Sequence, residues 1–376
     1  METRASQQKG DQGAWLWVLP IAFGGGNAAV ASLLKQRGLR PRMIAKPDPT
    51  DKAQAMRRFL PDTFITILVA TLILATLFPA TGQALTAISW ASNAAIFTLF
   101  FLHGARLSPQ AVVDGSKRWR LQAAVLGFGY VAFPLVMTGV SLSMRGWITP
   151  ELLLGLIFLG VLPTTVQSSI AYASIARGNV AAAVIAAATS NLIGVVLTPA
   201  LFALIASTTA GAISLSGVGR VAMLLLLPFA LGQILRRRVL PTVQRHARVA
   251  GMMDKLTIVL AVFVAFSDAA TQGLWSRVSA AELGGLAALV LALLLLAFAA
   301  AWALGGMLGL NREDRITLLF SGAHKSLATG APMARILFPS AAAGAIILPL
   351  MIYHQLQLML SAIIASRLAP DATRIT

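Results

Sequence analysis

The sequence predicts an all-α polytopic membrane protein: ten transmembrane helices in two inverted five-helix repeats, with broken, crossing helices 4 and 9. Three observations carry this reading. The chain is 57% hydrophobic and only 11% charged over 376 residues, with a mean hydropathy of +0.78, where a soluble domain carries about a quarter charged residues. Its positive charges alternate from one short loop to the next. Two apolar spans at corresponding places in the chain are interrupted by clustered polar residues.

Ten apolar stretches are long enough to span a bilayer: 59–78, 84–105, 119–143, 151–176, 179–206, 215–235, 252–272, 281–308, 313–338 and 341–367. The loops after spans 2 and 6 are strongly basic, with Arg106, Lys117, Arg118 and Arg120 in one, and Arg236, Arg237, Arg238, Arg245, Arg248 and Lys255 in the other. Arg177 lies between spans 4 and 5, and Arg312 and Arg315 between spans 8 and 9, while the intervening loops carry little charge. Cytoplasmic loops collect Lys and Arg, so the pattern predicts a multi-pass plasma (inner) membrane protein with both termini cytoplasmic. The same placement accounts for the net charge of +17 without nucleic acid, since no basic helix or interleaved aromatic stripe is present.

Residues 1–55 form an N-terminal extension outside this scheme. The apolar stretch 13–34 is interrupted by Pro20 and Gly24-Gly25-Gly26. It reads as an eleventh span, as a signal peptide ending at Ala29-Val30-Ala31, or as sequence upstream of a start at Met56. Arg57 and Arg58 already mark a cytoplasmic beginning, which favours the last reading or a poorly ordered tail.

The chemistry concentrates in spans 4 and 9. Span 4 contains LPTTVQSSIA, with Pro163 followed by Thr164, Thr165, Gln167, Ser168 and Ser169; span 9 contains FSGAHKSLATGAP, with His324, Lys325 and Ser326. Laid in register, Gln167 falls opposite Lys325 and Ser168 opposite Ser326. Each is the fourth span of a five-span half, and an odd number per half inverts the second. Matched interruptions in inverted halves point to a transporter binding site. Broken backbone is tolerated at membrane depth only where it is buried in protein or lines a wet cavity. An intramembrane lysine at such a crossing is therefore expected to be a fixed positive group facing an organic anion. The fifth spans flank the crossing with Thr189, Ser190 and Asn191 in one half and His354 and Gln357 in the other. Asn93 in span 2 is expected to make an interhelical hydrogen bond, and Asp268 to be solvated near the end of span 7.

The motifs IFTLFFLHGARLSPQ, VLPTTVQSSIAYASIARGNVAAA and FSGAHKSLATGAPM resemble the bile acid:sodium symporter family, more closely its branch related to sodium/bile acid cotransporter 7. The resemblance runs from about Met56 to the end of span 10. It implies a core (119–206 and 281–367) moving against a panel (57–105 and 215–272). It also implies sodium ligands near Ser168, Ser169 and Thr189, with Ser190 or Asn191 beside them. The chain departs from the pattern: the acidic residue of helix 9 falls at Phe320, its neighbouring glutamine at His324, and the helix 3 glutamine at Gly129. A sodium ion ~5 Å from Lys325 would be repelled by roughly 3 kcal/mol at an effective dielectric of 20, so sodium coupling is not expected to take the family's form. Na+ or H+ coupling and uniport all stay open, and no other cofactor is expected.

Absent Cys, HExxH, GxSxG and paired aspartates, an intramembrane enzyme is disfavoured. The expected function is secondary transport of a small organic anion by alternating access. The alternative is a non-transporting membrane regulator of the same fold.

Overall fold

The structure, a computed structural model, describes residues 63–106, 118–209, 215–338 and 340–369; the N-terminal extension lies outside them. By internal packing the chain divides between Ile67 and Leu68. The first unit's described residues are the opening of one helix, and the site lies wholly in Leu68–Thr376.

The described chain is helical throughout, with no β-strand among the described residues. In order come α1 (Thr63–Leu77), α2 (Gly82–Arg106), α3 (Trp119–Ser143), α4 (Pro150–Val161), α5 (Gln167–Ile175), α6 (Val180–Thr209) and α7 (Leu215–Ile234). They are followed by α8 (Arg236–Arg245), α9 (Ala247–Thr271), the single turn α10 (Leu274–Arg277), α11 (Ala280–Met307), α12 (Arg312–Ala323), α13 (Leu327–Leu337) and α14 (Ser340–Leu368). Six of them, α2, α3, α6, α9, α11 and α14, are long and apolar enough to cross a membrane, and α1, α4 and α7 contain shorter apolar segments. Their sides stay greasy where no other helix covers them: Trp90, Leu135, Leu204 and Met359 are all exposed, as lipid-facing residues are.

Spans 4 and 9 are each two short helices. α4 has 12 residues, about 18 Å at 1.5 Å per residue, which is half a bilayer crossing. The span 4 break falls at Pro163, as the sequence predicts. The span 9 break lies at residues 324–326, at the polar cluster the sequence marks, and α13 runs through Pro332. The start of α13 is set by Ser326, whose side chain accepts the Thr329 N–H as an N-cap.

Where helices press closest, glycine makes room. A Cβ on Gly104 would lie 2.1 Å from the Phe229 carbonyl oxygen and one on Gly232 the same distance from that of Phe101, so α2 and α7 meet backbone to backbone. Gly155 brings α4 onto α14 in the same way, where a Cβ would lie 2.7 Å from the Ile346 oxygen. At one end of the bundle Asp314 accepts two bonds from Arg118 (3.1 and 2.8 Å) and one from Asn179 (2.8 Å), tying the starts of α3, α6 and α12.

Three expectations are corrected here. The basic connection after span 6 is not a plain loop, because Arg236–Arg245 form α8, an exposed amphipathic helix with no buried residue. Asp268 is not solvated: it is 8% exposed and lies 3.7 Å from the Arg335 guanidinium, since α13 covers the end of α9 that the sequence leaves bare. Asn93, in turn, is exposed in a cavity beside Asp268.

Candidate functional site at two broken helices

The two breaks touch through the backbone, with the Ser326 N–H donating to the Pro163 carbonyl at 2.9 Å. A break strands carbonyls at the end of one half-helix and amides at the start of the next, and buried backbone groups must find partners. Around this contact nearly every one can be traced.

At the first break, the Thr198 hydroxyl donates to the Val161 oxygen at 2.7 Å. Ser190 accepts the Thr164 N–H at 3.2 Å, and the Asn191 amide donates to the Thr164 oxygen at 2.9 Å. All three side chains come from α6, spaced so that one face serves the break. Tyr130 fixes α6 in turn, its hydroxyl donating to the Ser190 oxygen at 2.6 Å. At the second break, Gln357 of α14 clasps Lys325 by both backbone groups, accepting its N–H at 2.9 Å and donating to its oxygen at 3.0 Å. Tyr353 donates to the Ala323 oxygen at 2.6 Å, and Thr329 donates to the Asn191 side-chain oxygen at 3.0 Å, joining the two sets.

Lys325 is 1% exposed and lies in the centre of this arrangement. Its Nζ donates to Gly160 (2.7 Å), Leu162 (2.9 Å) and Gly129 (2.9 Å), all backbone oxygens, and sits 4.3 Å from the centre of the Phe133 ring. Gly160 and Leu162 belong to the stranded end of α4, the negative end of its dipole. Gly129 is available for a different reason. It lies in a five-residue π-turn of α3, Phe128–Ala132, where the Phe133 N–H bonds to the Phe128 oxygen, and the next residue, Pro134, has no N–H to give. Three acceptors match the three donors of an ammonium, where a neutral amine has only two. The geometry suits the charged form.

His324 is fully buried and bridges the other side. Its Nδ1 is 3.1 Å from the Thr165 hydroxyl and 3.2 Å from that of Ser168, and its Nε2 is 2.7 Å from the Ser361 hydroxyl. Tyr172, Phe298 and Phe320 pack edge-on or tilted around the ring and one another. Phe320, where the family resemblance places an acidic residue, is part of an apolar wall.

Of the residues singled out in the sequence, Thr164, Thr165, Ser168, Ser190, Asn191, His324, Lys325 and Ser326 come together. His354 joins through Gln357, whose side-chain nitrogen is 2.8 Å from its Nδ1. Ser169 bonds back to the Thr165 carbonyl in the break just before its own helix. Gln167 is exposed at the first turn of α5, and Thr189 is half-buried on α6; no hydrogen bond links either to this network among the described residues. Sequence reasoning missed Tyr130, Thr198, Ser361 and the Gly129 carbonyl. For the last a signal existed, a glycine five residues before a proline in an otherwise helical span.

Residues 62–370 match the SBF-like CPA transporter family. The chain belongs to that family. It is 45% identical over 315 residues to an uncharacterized protein of Pseudomonas aeruginosa, covering 83% of this chain and 94% of that one. YfeH of Escherichia coli K12, provisionally named a symporter, is 39% identical over 306 residues, 81% of this chain and 92% of YfeH. The rat sodium/bile acid cotransporter 7 is 25% identical over 283 residues, 73% and 81% of the two chains. The family is one of membrane transporters, in keeping with the long apolar helices.

Proposed function

We propose that this family member is a secondary carrier of a small organic anion, working by alternating access through ten spans in two inverted halves, with Lys325 as a built-in cation at the crossing of spans 4 and 9. The observation that carries the reading is the Lys325 ammonium seated on three backbone oxygens where two half-helices meet. Carbonyl ends of broken helices attract cations and amide ends attract anions. Here a tethered ammonium fills the cation's role and cannot leave, so the paired breaks need no sodium ion.

The anion end lies beside it. The N-terminus of α5 carries Gln167 and Ser168, with Val166 (45% exposed) and Gln167 accessible, and a helix start offers unpaired amides to a carboxylate or sulfate. Ser168 connects this end to His324, so occupancy there is felt at the crossing. Lys325 adds positive potential without touching the anion, because its donors are already engaged. Relatives named as a symporter and a sodium/bile acid cotransporter support transport as the class of function, and bile acid itself is not carried over to this chain.

The test is uptake of an organic-acid panel into proteoliposomes, with sodium present or replaced by N-methyl-D-glucamine. The reading expects saturable uptake of at least one acid by wild type, lost in Gln167→Ala/Ser168→Ala. An inactive protein toward every acid, under either condition, would favour a non-transporting role.

A further inference from the structure

The connection between α7 and α9 carries positive charge with nothing to balance it. Arg236, Arg237, Arg238 and Arg245 lie on α8, and Arg248 lies in the first turn of α9. The carboxylate nearest in sequence is Asp254, and Arg106 already holds it at 2.8 Å. Arg118 and Arg335 likewise have carboxylate partners. The side chains of the five arginines around α8 make no hydrogen bond or ion pair with any described residue.

α8 is two-faced. Arg236, Val239, Leu240 and Val243, at i, i+3, i+4 and i+7, form one half-buried stripe, and the helix packs on α2, α7 and α9. Arg237, Arg238 and Arg245 occupy the remaining surface and are exposed, as is Arg248 beyond His246. Large apolar side chains stand bare at both ends of this surface. Ile234, the last residue of α7, is 76% exposed, and Met252 of α9 is 69% exposed. Arg237 and Arg238 follow Ile234 by three and four residues. Arg248 precedes Met252 by four on α9, so those two share a face.

We propose that this surface binds anionic phospholipids, with Arg237, Arg238, Arg245 and Arg248 on the phosphate headgroup and Ile234 and Met252 against the acyl chains. Charge and apolar exposure select this ligand together. A free phosphate or an acidic polymer would match the arginines but leave the apolar side chains bare. A zwitterionic lipid would cover the apolar side chains but bring no net charge to the arginines. The guanidinium fork fits phosphate oxygens two at a time and stays charged at every physiological pH. Basic clusters that flank a membrane span are drawn to anionic leaflets in the same way. The surface is separate from Lys325, whose three donors are engaged, and it is independent of the anion carried.

The test follows thermal unfolding of the full chain in nanodiscs as phosphatidylglycerol replaces phosphatidylcholine at constant salt. A ligand of the folded state raises the unfolding midpoint, so wild type is expected to show a saturable rise with the phosphatidylglycerol fraction. At about fivefold in affinity per arginine, Arg237→Gln/Arg238→Gln/Arg245→Gln should lose saturation within the accessible range. Arg120→Gln/Arg177→Gln/Arg367→Gln removes the same charge from exposed positions elsewhere and should saturate as wild type does. If the first triple variant does not fold, Arg238→Gln and Arg245→Gln carry the test singly, each raising half-saturation about fivefold. Inorganic phosphate added to pure phosphatidylcholine nanodiscs should leave the midpoint unchanged. No saturable rise in wild type, equal responses from the two triple variants, or a rise with inorganic phosphate that matches the lipid's would each overturn the proposal.

Discussion

Lys325 shows how a residue that is expensive in a membrane becomes part of its framework. A charge at the centre of a span costs at least about 2.5 kcal/mol on insertion scales, yet three stranded carbonyls would each cost about 1–3 kcal/mol if left bare. The ammonium answers all three at once. Gln357 plays the matching role for the backbone of Lys325 itself. Gln357→Leu is expected to strand one N–H and one C=O and to lower stability by about 2–4 kcal/mol, whereas Gln357→Glu keeps the acceptor and should fall between the two. Thermal unfolding of the three proteins in one detergent gives the order. The sequence marks Lys325 clearly, since a lysine among Gly, Ser and Thr in an oily span has few reasons to be there. It does not reveal which carbonyls receive the charge. Those depend on a π-turn in α3 and on α4 ending where it does, and neither leaves a charge or period to read.

At the scale of elements, apolar run length made the spans legible, and boundaries fall within a few residues of those expected for most of them. Both breaks were legible at their polar clusters, though not the residues that set their ends. Pro163 stops α4 because a following proline disfavours the helical conformation of Leu162, while Pro332 is absorbed inside α13 and the break is set by the Ser326 cap. Short amphipathic α8 was hidden by its arginines, which read as loop. Asp268 was misjudged because burial by α13 comes from tertiary packing. The support given by α6 to the first break makes a further expectation. A Cβ on Gly194 would fall 2.5 Å from the Tyr130 hydroxyl and 2.9 Å from Pro163, so Gly194→Ala should push Tyr130 off the Ser190 carbonyl and cost about 1–3 kcal/mol by overpacking. Gly127→Ala, where nothing lies within 4 Å of the new methyl, is the control that should stay near wild type in folded yield and unfolding midpoint.

For the whole molecule, the charge alternation makes an expectation about orientation: α8 and the Arg118–Asp314–Asn179 cluster are expected at the cytoplasmic face. Reporter fusions at Arg237 are expected to report a cytoplasmic position, and a periplasmic signal there would invert the assignment. The central claim is that Lys325 is the fixed cation joining two broken helices, and it is tested most directly by the unfolding midpoint of Lys325→Met against wild type in the same detergent. Losing an ammonium that satisfies three buried carbonyls should lower the midpoint below that of wild type, at roughly 2–4 °C per kcal/mol lost for a sizeable domain. A midpoint equal to or above wild type is what a lysine that merely snorkels to the surface would give, and it would contradict the account.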